Sequence, residues 1–470
     1  MSAIIVRMQI AEVNNLQNVE HGKIRFACNL QKNIFGQTSD ILGIYGQNGS
    51  GKTAFIHAVD LLRAVLSGET LQNDALTYIM QGQEVATLSF TFTVSGFIKP
   101  YRVVYDFEVT RIKATSTDLV GGKTDRVCVL REKIRYSTFD TDKWSKLATV
   151  FDCDMRSNTL FTPVKSKKSL MDKNKNVDFL TDLRVAKKLA ISRGTSFVFS
   201  DEMQKLLRGE IMSPFQEIST ALHEYGMHDL YVIGTRGWGP INLNLGLPFY
   251  FKVKKEHHIS MGSFLFRLDN PTFLPNMLFP IIKEAIDILC TVLYTIVPGL
   301  KIELQLIGKQ LADDGTEGVM VELVSVRNNK KIPLRFESEG IKKLVAILNM
   351  LIATYNNPSM TLAIDELDAG IFEYLLGELL KIFNNSGQGQ LIFTSHNLRP
   401  LETLSKHSII FTTTNAKERY IRLVNVKSNN NLRDYYYHDI VLGGQREDIY
   451  DTTNNFEIEF AMKKAGVLNG

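Results

Sequence analysis

The sequence predicts an α/β fold, with a mixed sheet, an antiparallel β subdomain and an inserted helical subdomain. Three observations carry this prediction. A glycine-rich motif lies between an apolar strand and a helical pattern near the start of the chain. A run of alternating strands follows that helix directly. A second apolar strand, far along the chain, ends in two acidic residues. Hydrophobic periodicity distinguishes these helices from these strands.

The glycine-rich motif occupies residues 46–53 and fits G-x-x-x-x-G-K-[ST], between an apolar strand at 41–45 and a helical pattern at 54–66. Such a loop turns backbone N–H groups onto phosphate oxygens, and the helix N-terminus adds partial positive charge. Lys52 is expected to reach the β- and γ-phosphates, and the Thr53 hydroxyl to bind Mg²⁺. We therefore predict a P-loop NTPase fold that binds ATP and Mg²⁺. The predicted nucleotide-binding residues of the loop are Gly46, Asn48, Gly49, Ser50, Gly51, Lys52 and Thr53.

Bulk properties exclude several classes of protein. The four cysteines are scattered, without a C-x-x-C pair, which argues against a zinc site and a disulfide framework and favours a reducing compartment. The apolar stretch at 277–297 contains three charged residues and is a poor membrane span. The net charge of +4 is too small to indicate a partner. We expect a cytoplasmic protein without a membrane segment.

The elements around the motif follow in order. Strands are predicted at 4–10 and 23–28, joined by a polar loop at 11–20. After the first helix come four alternating strands, at 85–94, 101–109, 127–136 and 144–151. A P-loop fold that inserts an antiparallel sheet directly after its first helix is typical of the ABC type.

The middle of the chain is predicted to be an inserted, mainly helical subdomain. Helical patterns occur at 177–190, 200–207 and 214–225, before a glycine-rich loop at 234–246 that contains Trp238. The basic run at 165–175 fits either a solvated loop or a contact with nucleic acid or a partner. A helix at 275–297 and strands at 301–306 and 318–326 follow. The predicted division is an N-terminal ATPase lobe at 1–154, the insert at 155–275, a C-terminal ATPase lobe at 276–430, and a tail with a terminal helix at 431–470.

Two acids end the strand at 359–364. Carboxylates at the carboxyl end of a buried strand lie where an α/β sheet places its ligand chemistry. Asp365 is expected to hold Mg²⁺ through water, and Glu366 to act as the general base that polarises the attacking water. His396 ends another apolar strand, at 390–395, and is suited to contact the γ-phosphate and that water. The predicted catalytic residues are Glu366 and His396.

Residues 336–343 open a further helix. Ser338 and Gly340 at its N-terminus can bind a γ-phosphate through a hydroxyl and a backbone N–H. The segment resembles the signature motif of ABC ATPases, although Glu339 and Ile341 depart from the usual L-S-G-G-Q. Residues 367–370 resemble a D-loop. In that family the serine belongs to the opposite subunit's nucleotide, so the resemblance implies an ATP-sandwich dimer or a higher ring.

The order of P-loop, signature, acid pair, D-loop and histidine covers positions 46–396 and resembles the SMC, RecF and OLD branch of ABC ATPases. No sequence signature of a TOPRIM nuclease follows His396. The compact layout, with trailing strands predicted at 408–413 and 419–426, resembles the stand-alone AAA-family ATPases of bacterial anti-phage defence operons, such as the PARIS ATPase subunit and abortive-infection ATPases. The glutamine of the family's Q-loop has two candidates, Gln81 and Gln83.

This resemblance implies a slow ATPase that acts as sensor and scaffold, controlling a separate effector, expected to be a nuclease, in response to a phage-derived trigger. Two alternatives stay open at this point. One is a RecF-like ATPase that binds DNA directly in repair or maintenance. The other is an assembly scaffold that binds the nucleotide without catalysis. The end of the chain is predicted as a loop at 435–439 and a helix at 455–468, which could dock a partner or pack into the core.

Overall fold

The computed structural model describes residues 3–26, 38–112, 125–140, 142–173, 178–208, 213–255, 258–424, 431–451 and 454–467. The elements up to the middle of the chain are β1 (Ile5–Leu16), β2 (Val19–Arg25), β3 (Asp40–Tyr45), α1 (Lys52–Leu66), β4 (Val85–Ser95), β5 (Tyr101–Ile112), β6 (Arg126–Asp140), β7 (Lys143–Trp144), β8 (Ala148–Asp154), α2 (Val164–Lys173), α3 (Phe179–Arg193), α4 (Asp201–Leu207) and α5 (Pro214–His228).

The remaining elements of the described chain are β9 (Leu230–Ile233), α6 (Thr235–Asn242), β10 (Gly246–Lys255), β11 (His258–Arg267), β12 (Thr272–Pro275), α7 (Phe279–Ile296), β13 (Lys301–Leu311), β14 (Glu317–Arg327), β15 (Lys330–Pro333), α8 (Glu339–Asn356), β16 (Thr361–Ile364), α9 (Glu373–Ser386), β17 (Gln390–Thr394), α10 (Arg399–Thr403), β18 (Ile409–Thr412), β19 (Tyr420–Ile421), α11 (Leu432–Leu442) and α12 (Asn455–Val467).

A six-stranded sheet lies at the centre, in the order β19-β18-β3-β17-β16-β9. All of its strand pairs are parallel except β18 with β19. Its inner strands are apolar and buried, as expected for parallel strands covered on both faces. Because β17 lies between β3 and β16, the carboxyl ends of these three strands bring the P-loop, residues 394–396 and the acid pair to one edge of the sheet.

An antiparallel sheet lies beside it, in the order β2-β1-β4-β5-β6-β7, with β8 also paired to β6. Burial alternates along β4 and β5, because one face of such a sheet packs on the core. Helix α1 shares a core with residues of both sheets, which explains why it is apolar around most of its circumference. The predicted mixed α/β architecture with an antiparallel sheet after the first helix is present.

The prediction of a polar loop at 11–20 is wrong. Strand β1 continues to Leu16, and β2 begins at Val19 after a tight turn. Ala11, Val13 and Leu16 are buried, whereas Asn14 and Asn15 are half-buried and Asn15 has a φ of +58°. The high asparagine content hid this strand, because asparagine is uncommon in strands.

The expected mainly helical character of 155–275 holds only as far as α5. Strand β9 then joins the edge of the central sheet beside β16, and β10 pairs with β11 as a hairpin. Residues 235–242, predicted as loop, form α6 in spite of two glycines and Pro240. Burial of Trp238 and Ile241 supplies the stability that helix propensity lacks there. The boundaries at 154, 275 and 430 stay a prediction.

Three smaller differences concern helices and trailing strands. The basic run, for which a solvated loop was one of two alternatives, is helical over α2, and residues 174–177 lie outside the described residues. Residues 435–439 belong to α11, where Leu432, Tyr436 and Asp439 are buried at helical spacing. Strands β18 and β19 are shorter than predicted, while α12 agrees with the predicted terminal helix. Within the described ranges, no helix has the length and apolar character needed to cross a membrane.

Candidate functional site

The P-loop connects β3 to α1 and leaves the start of α1 open to an anion. Gly51 is the N-cap, no side chain caps the helix, and its first turn contains no acidic residue. The first N–H groups of a helix have no partner within the helix, and they carry the positive end of its dipole. This end of α1 therefore suits a phosphate group.

Strand β18 supports the inner side of the loop. A Cβ atom on Gly46, whose φ is +151°, would lie 1.7 Å from Thr412 Oγ1, so only glycine fits there. Ser50 Oγ lies 2.5 Å from the same hydroxyl and donates to the Gln47 carbonyl at 2.6 Å. The bend of the loop is thus fixed by packing against β18.

The outer side of the loop is held by residues that sequence reasoning missed. Asn18 Nδ2 donates to the Gly49 carbonyl at 2.6 Å, and the Tyr420 hydroxyl donates to the Gly51 carbonyl at 2.8 Å. Arg419 in turn donates to the Asn18 carbonyl at 2.6 Å. Asn18 lies in the β1–β2 turn, whereas Tyr420 begins β19 and Arg419 directly precedes it, far away in sequence. Asn48 lies exposed at the tip of the loop.

Lys52 is buried and folds back onto its own loop. Its Nζ donates to the carbonyls of Gly46 and Gln47 at 2.7 and 3.0 Å. Burial lowers the pKa of Lys52, while the charges of nearby carboxylates, including Asp365 and Glu366, oppose this shift. A phosphate would replace two neutral acceptors by an anion, which forms stronger, charge-assisted hydrogen bonds.

Asp365 lies next to Thr53 at the end of β16. The carboxylate is buried, and its Oδ1 accepts from Thr394 Oγ1 at 2.5 Å and from Thr53 Oγ1 at 3.4 Å. A hydroxyl and a carboxylate oxygen suit Mg²⁺, which otherwise keeps water and substrate phosphates as ligands. Among the described residues, no cluster of three or more His, Cys, Asp or Glu could hold a metal ion by itself. The donor set therefore fits a Mg²⁺ ion that arrives with a nucleotide.

Glu366 has a backbone conformation that is rare for its residue type. Its φ is +52°, in the left-handed region, and its N–H donates to Thr394 Oγ1 at 2.8 Å. The side chain is half-buried, so it stays accessible to water. Strained conformations of this kind concentrate at functional sites, where the surrounding structure maintains them.

His396 follows β17 and is exposed. Its backbone N–H and that of Asn397 donate to Asp368 Oδ2 at 3.1 and 3.0 Å. Asp368 lies in residues 367–370, the predicted D-loop, which follow Glu366 directly. The histidine segment is thus joined to the segment that directly follows the acid pair.

Ser338 is the N-cap of α8 and is exposed. Its Oγ accepts from the Ile341 N–H at 3.4 Å. Within the described part of the chain, no hydrogen bond joins Ser338 to its own P-loop. Gly340 has an internal reason to be glycine, since a Cβ atom there would lie 2.1 Å from the carbonyl oxygen of Gly370 in the D-loop. The start of α8 therefore packs on the D-loop and presents Ser338 outward.

Trp238 connects the start of α8 to the acid pair and was missed as a site residue. Its Nε1 donates to the Asp365 carbonyl at 3.0 Å, and Lys343 Nζ lies 5.7 Å from the centre of its ring. In the sequence, Trp238 stands alone in a glycine-rich segment, and no motif there indicates a contact with the acid pair. The two Q-loop candidates, Gln81 and Gln83, are exposed in the turn before β4, and their role stays a prediction.

No protein-family model matches the sequence, and neither does any curated protein. Among solved structures, the chain is similar to the SMC head domain from Thermotoga maritima, with 12% identity, 89% of this chain and 99% of that chain covered, and a TM-score of 0.36.

Two further solved structures are similar to the chain, with comparable identities and TM-scores. The Smc head domain bound to the C-terminal domain of ScpA, derived from Pyrococcus furiosus, has 12% identity over 89% of this chain and 96% of that chain, with a TM-score of 0.38. The recombination mediator protein RecF with ATP has 13% identity over 84% and 94%, with a TM-score of 0.33. These similarities are remote, so the function proposed below rests on contacts within this chain.

Proposed function

We propose that this chain is an ABC-type ATPase that binds ATP with Mg²⁺ and hydrolyses it slowly to ADP and phosphate. The observation that carries the proposal is the convergence of Lys52, Thr53 and the acid pair at one edge of the central sheet. There Thr53 donates to Asp365, and Thr394 hydrogen-bonds both acids. These residues are contributed by segments more than three hundred positions apart in sequence. Their types match the needs of phosphoryl transfer, which are positioning and neutralisation of charge.

Each residue has a separate task in this proposal. Lys52 and the N–H groups at the start of α1 bind the β- and γ-phosphates. Thr53 and Asp365 hold Mg²⁺, which neutralises charge on the phosphate oxygens. Glu366 accepts a proton from the attacking water as general base. His396, on the adjacent strand end, contacts the γ-phosphate.

The site is proposed to be completed by a second copy. Ser338 faces outward, and the large apolar side chains of Phe336 and Phe372 near it are 70% and 73% exposed. Exposed apolar residues beside polar ligand groups are typical of an interaction surface. In a head-to-tail dimer, Ser338 and Gly340 of one copy would face the P-loop of the other and cover its γ-phosphate.

We expect Mg²⁺-dependent ATP hydrolysis whose specific activity rises with protein concentration, because an active site needs two copies. The measurement combines phosphate release over a dilution series with light scattering in ATP, ADP, and ATP with EDTA. ATP with Mg²⁺ should increase the mass to that of a dimer or ring. Hydrolysis by a monomer, with a specific activity independent of concentration, would contradict the composite site.

The further role that we propose is control of a separate effector, expected to be a nuclease, in anti-phage defence. Helix α12 favours the proposal of a protein partner, because its described side chains are exposed and include four large apolar residues. They are Phe456, Ile458, Phe460 and Met462. Surfaces of this kind are more common at protein contacts than at contacts with DNA, which are positively charged.

Products of neighbouring genes should co-purify with the full chain and not with a chain that ends at Asp451, because the truncation removes α12. ATP hydrolysis and the melting temperature of the truncated chain serve as the control, and both should be unchanged. Tight, salt-dependent binding of duplex DNA by the full chain, without a co-purified protein, would instead favour the RecF-like alternative. Nucleotide binding without turnover would favour the assembly scaffold.

A further inference from the structure

We propose that Thr394 is a positioning residue, which sets the geometry of both acids for ATP hydrolysis. The inference rests on the proposed function and assigns a role to a residue outside its predicted machinery. Thr394 is the last residue of β17, the strand between the P-loop strand and the strand of the acid pair. It is about 1% exposed and thus does not contact substrate by itself.

Thr394 makes three hydrogen bonds to three successive residues. Its hydroxyl donates to Asp365 Oδ1 at 2.5 Å and accepts the Glu366 N–H at 2.8 Å. Its carbonyl accepts the Leu367 N–H at 3.1 Å. A single residue of β17 therefore holds the whole junction at which β16 ends and the D-loop begins.

A single hydroxyl oxygen can make both side-chain contacts. A hydroxyl donates one hydrogen and accepts at its lone pairs, whereas a carboxylate only accepts and a backbone N–H only donates. Thr394 thus connects an acceptor, Asp365, to a donor, the Glu366 N–H. Serine could do the same, and valine, which has nearly the same shape, could do neither.

The two contacts act on two different parts of the chemistry. The bond to Asp365 orients the carboxylate oxygen that also faces Thr53, and so affects the place of Mg²⁺. The bond to Glu366 stabilises its peptide group at a φ of +52°, a conformation that needs support from its surroundings. Without the hydroxyl, the Glu366 peptide can relax toward an ordinary conformation and the general base leaves its position.

A matched control exists on the adjacent strand. Thr361 begins β16, at the end away from the acids, and is fully buried. Its hydroxyl accepts from the Tyr225 hydroxyl at 2.7 Å and donates to Gln390 Oε1 at 3.3 Å. Thr361→Val removes an equally buried hydroxyl with two hydrogen bonds, but it leaves the acid pair untouched.

The experiment compares Thr394→Val, Thr394→Ser and Thr361→Val with the wild type. It measures kcat, the Mg²⁺ concentration for half-maximal activity, nucleotide binding with EDTA and with a Mg²⁺ titration, and the melting temperature. We expect Thr394→Val to lower kcat roughly 10- to 100-fold, as for other residues that orient a ligand group, and to require more Mg²⁺. ATP binding in EDTA should stay within about threefold of wild type, because the P-loop is unchanged. Thr394→Ser should keep most of the activity.

Three results would overturn the inference. They are a wild-type kcat and Mg²⁺ dependence in Thr394→Val, an equal loss of kcat in Thr361→Val, or a failure of serine to rescue in a folded protein. If the wild type binds ATP without hydrolysing it, the proposed function fails instead. The Mg²⁺ dependence of nucleotide binding then still tests whether Thr394 orients Asp365, since that readout needs no turnover.

Discussion

Glu366→Gln is expected to bind ATP with Mg²⁺ as tightly as the wild type and to hydrolyse it at least about a hundredfold more slowly. The amide keeps the size of the side chain and can still hydrogen-bond a water, but it cannot accept a proton at neutral pH. The Lys52 contacts and the Thr53–Asp365 pair do not depend on the Glu366 carboxylate. Phosphate release and equilibrium binding of a fluorescent ATP analogue, measured on the same preparation, separate the two effects.

Glu373→Gln is the control for this variant. Glu373 lies in the first turn of α9, is exposed, and has the same chemistry at a short distance along the chain. It should hydrolyse ATP at the wild-type rate. Because the proposed dimer dissociates when ATP is hydrolysed, Glu366→Gln should also accumulate as an ATP-bound dimer in light scattering. A Glu366→Gln protein that turns over ATP at full rate would show that another group is the base.

The parts of the site that the sequence predicted are those that lie in short contiguous motifs. Gly46 to Thr53 and Asp365 to Glu366 each follow an apolar strand, so their position at the carboxyl edge of a sheet follows from hydrophobic pattern and spacing. The other contacts of the site depend on the order of the strands in the sheet. Thr394 lies beside the acids only because β17 inserts between β3 and β16, which no local pattern encodes.

The residues that hold the outer side of the P-loop could not be predicted from local sequence patterns either. Asn18 lies in a segment predicted as a polar loop, Tyr420 begins β19 near the other end of the chain, and Arg419 directly precedes that strand. Asn18 and Tyr420 contact Gly49 and Gly51, and Arg419 contacts Asn18, all between segments that are distant in sequence. Asparagine and arginine are common on protein surfaces, so their presence indicates no such role. Helix α6 was missed for a different reason, since tertiary burial of Trp238 overrides the low helix propensity of its neighbours.

Lys52→Ala is expected to weaken ATP binding about 10- to 100-fold, because a phosphate loses its charge-assisted partner.

Ser338→Asp is expected to bind ATP normally within one chain and to lack hydrolysis, since a carboxylate in its place repels the γ-phosphate of the other copy. Aspartate is as good an N-cap as serine, so the start of α8 should stay folded. Ser338→Asn, which caps without a charge, is the matched control and should retain more activity. Nucleotide binding, hydrolysis and melting temperature are measured for each variant.

Mixing the two inactive variants tests whether Ser338 acts across the interface. In a mixed dimer, one site contains both changes and the other combines the intact Lys52 of one copy with the intact Ser338 of its partner. With random exchange, half of the dimers are mixed and each has one active site, so about one quarter of the wild-type activity should return. If Ser338 acted on the nucleotide of its own chain, every site in the mixture would carry one of the changes. Activity would then stay at the level of the separate variants, and the exposed N-terminus of α8 would need another explanation.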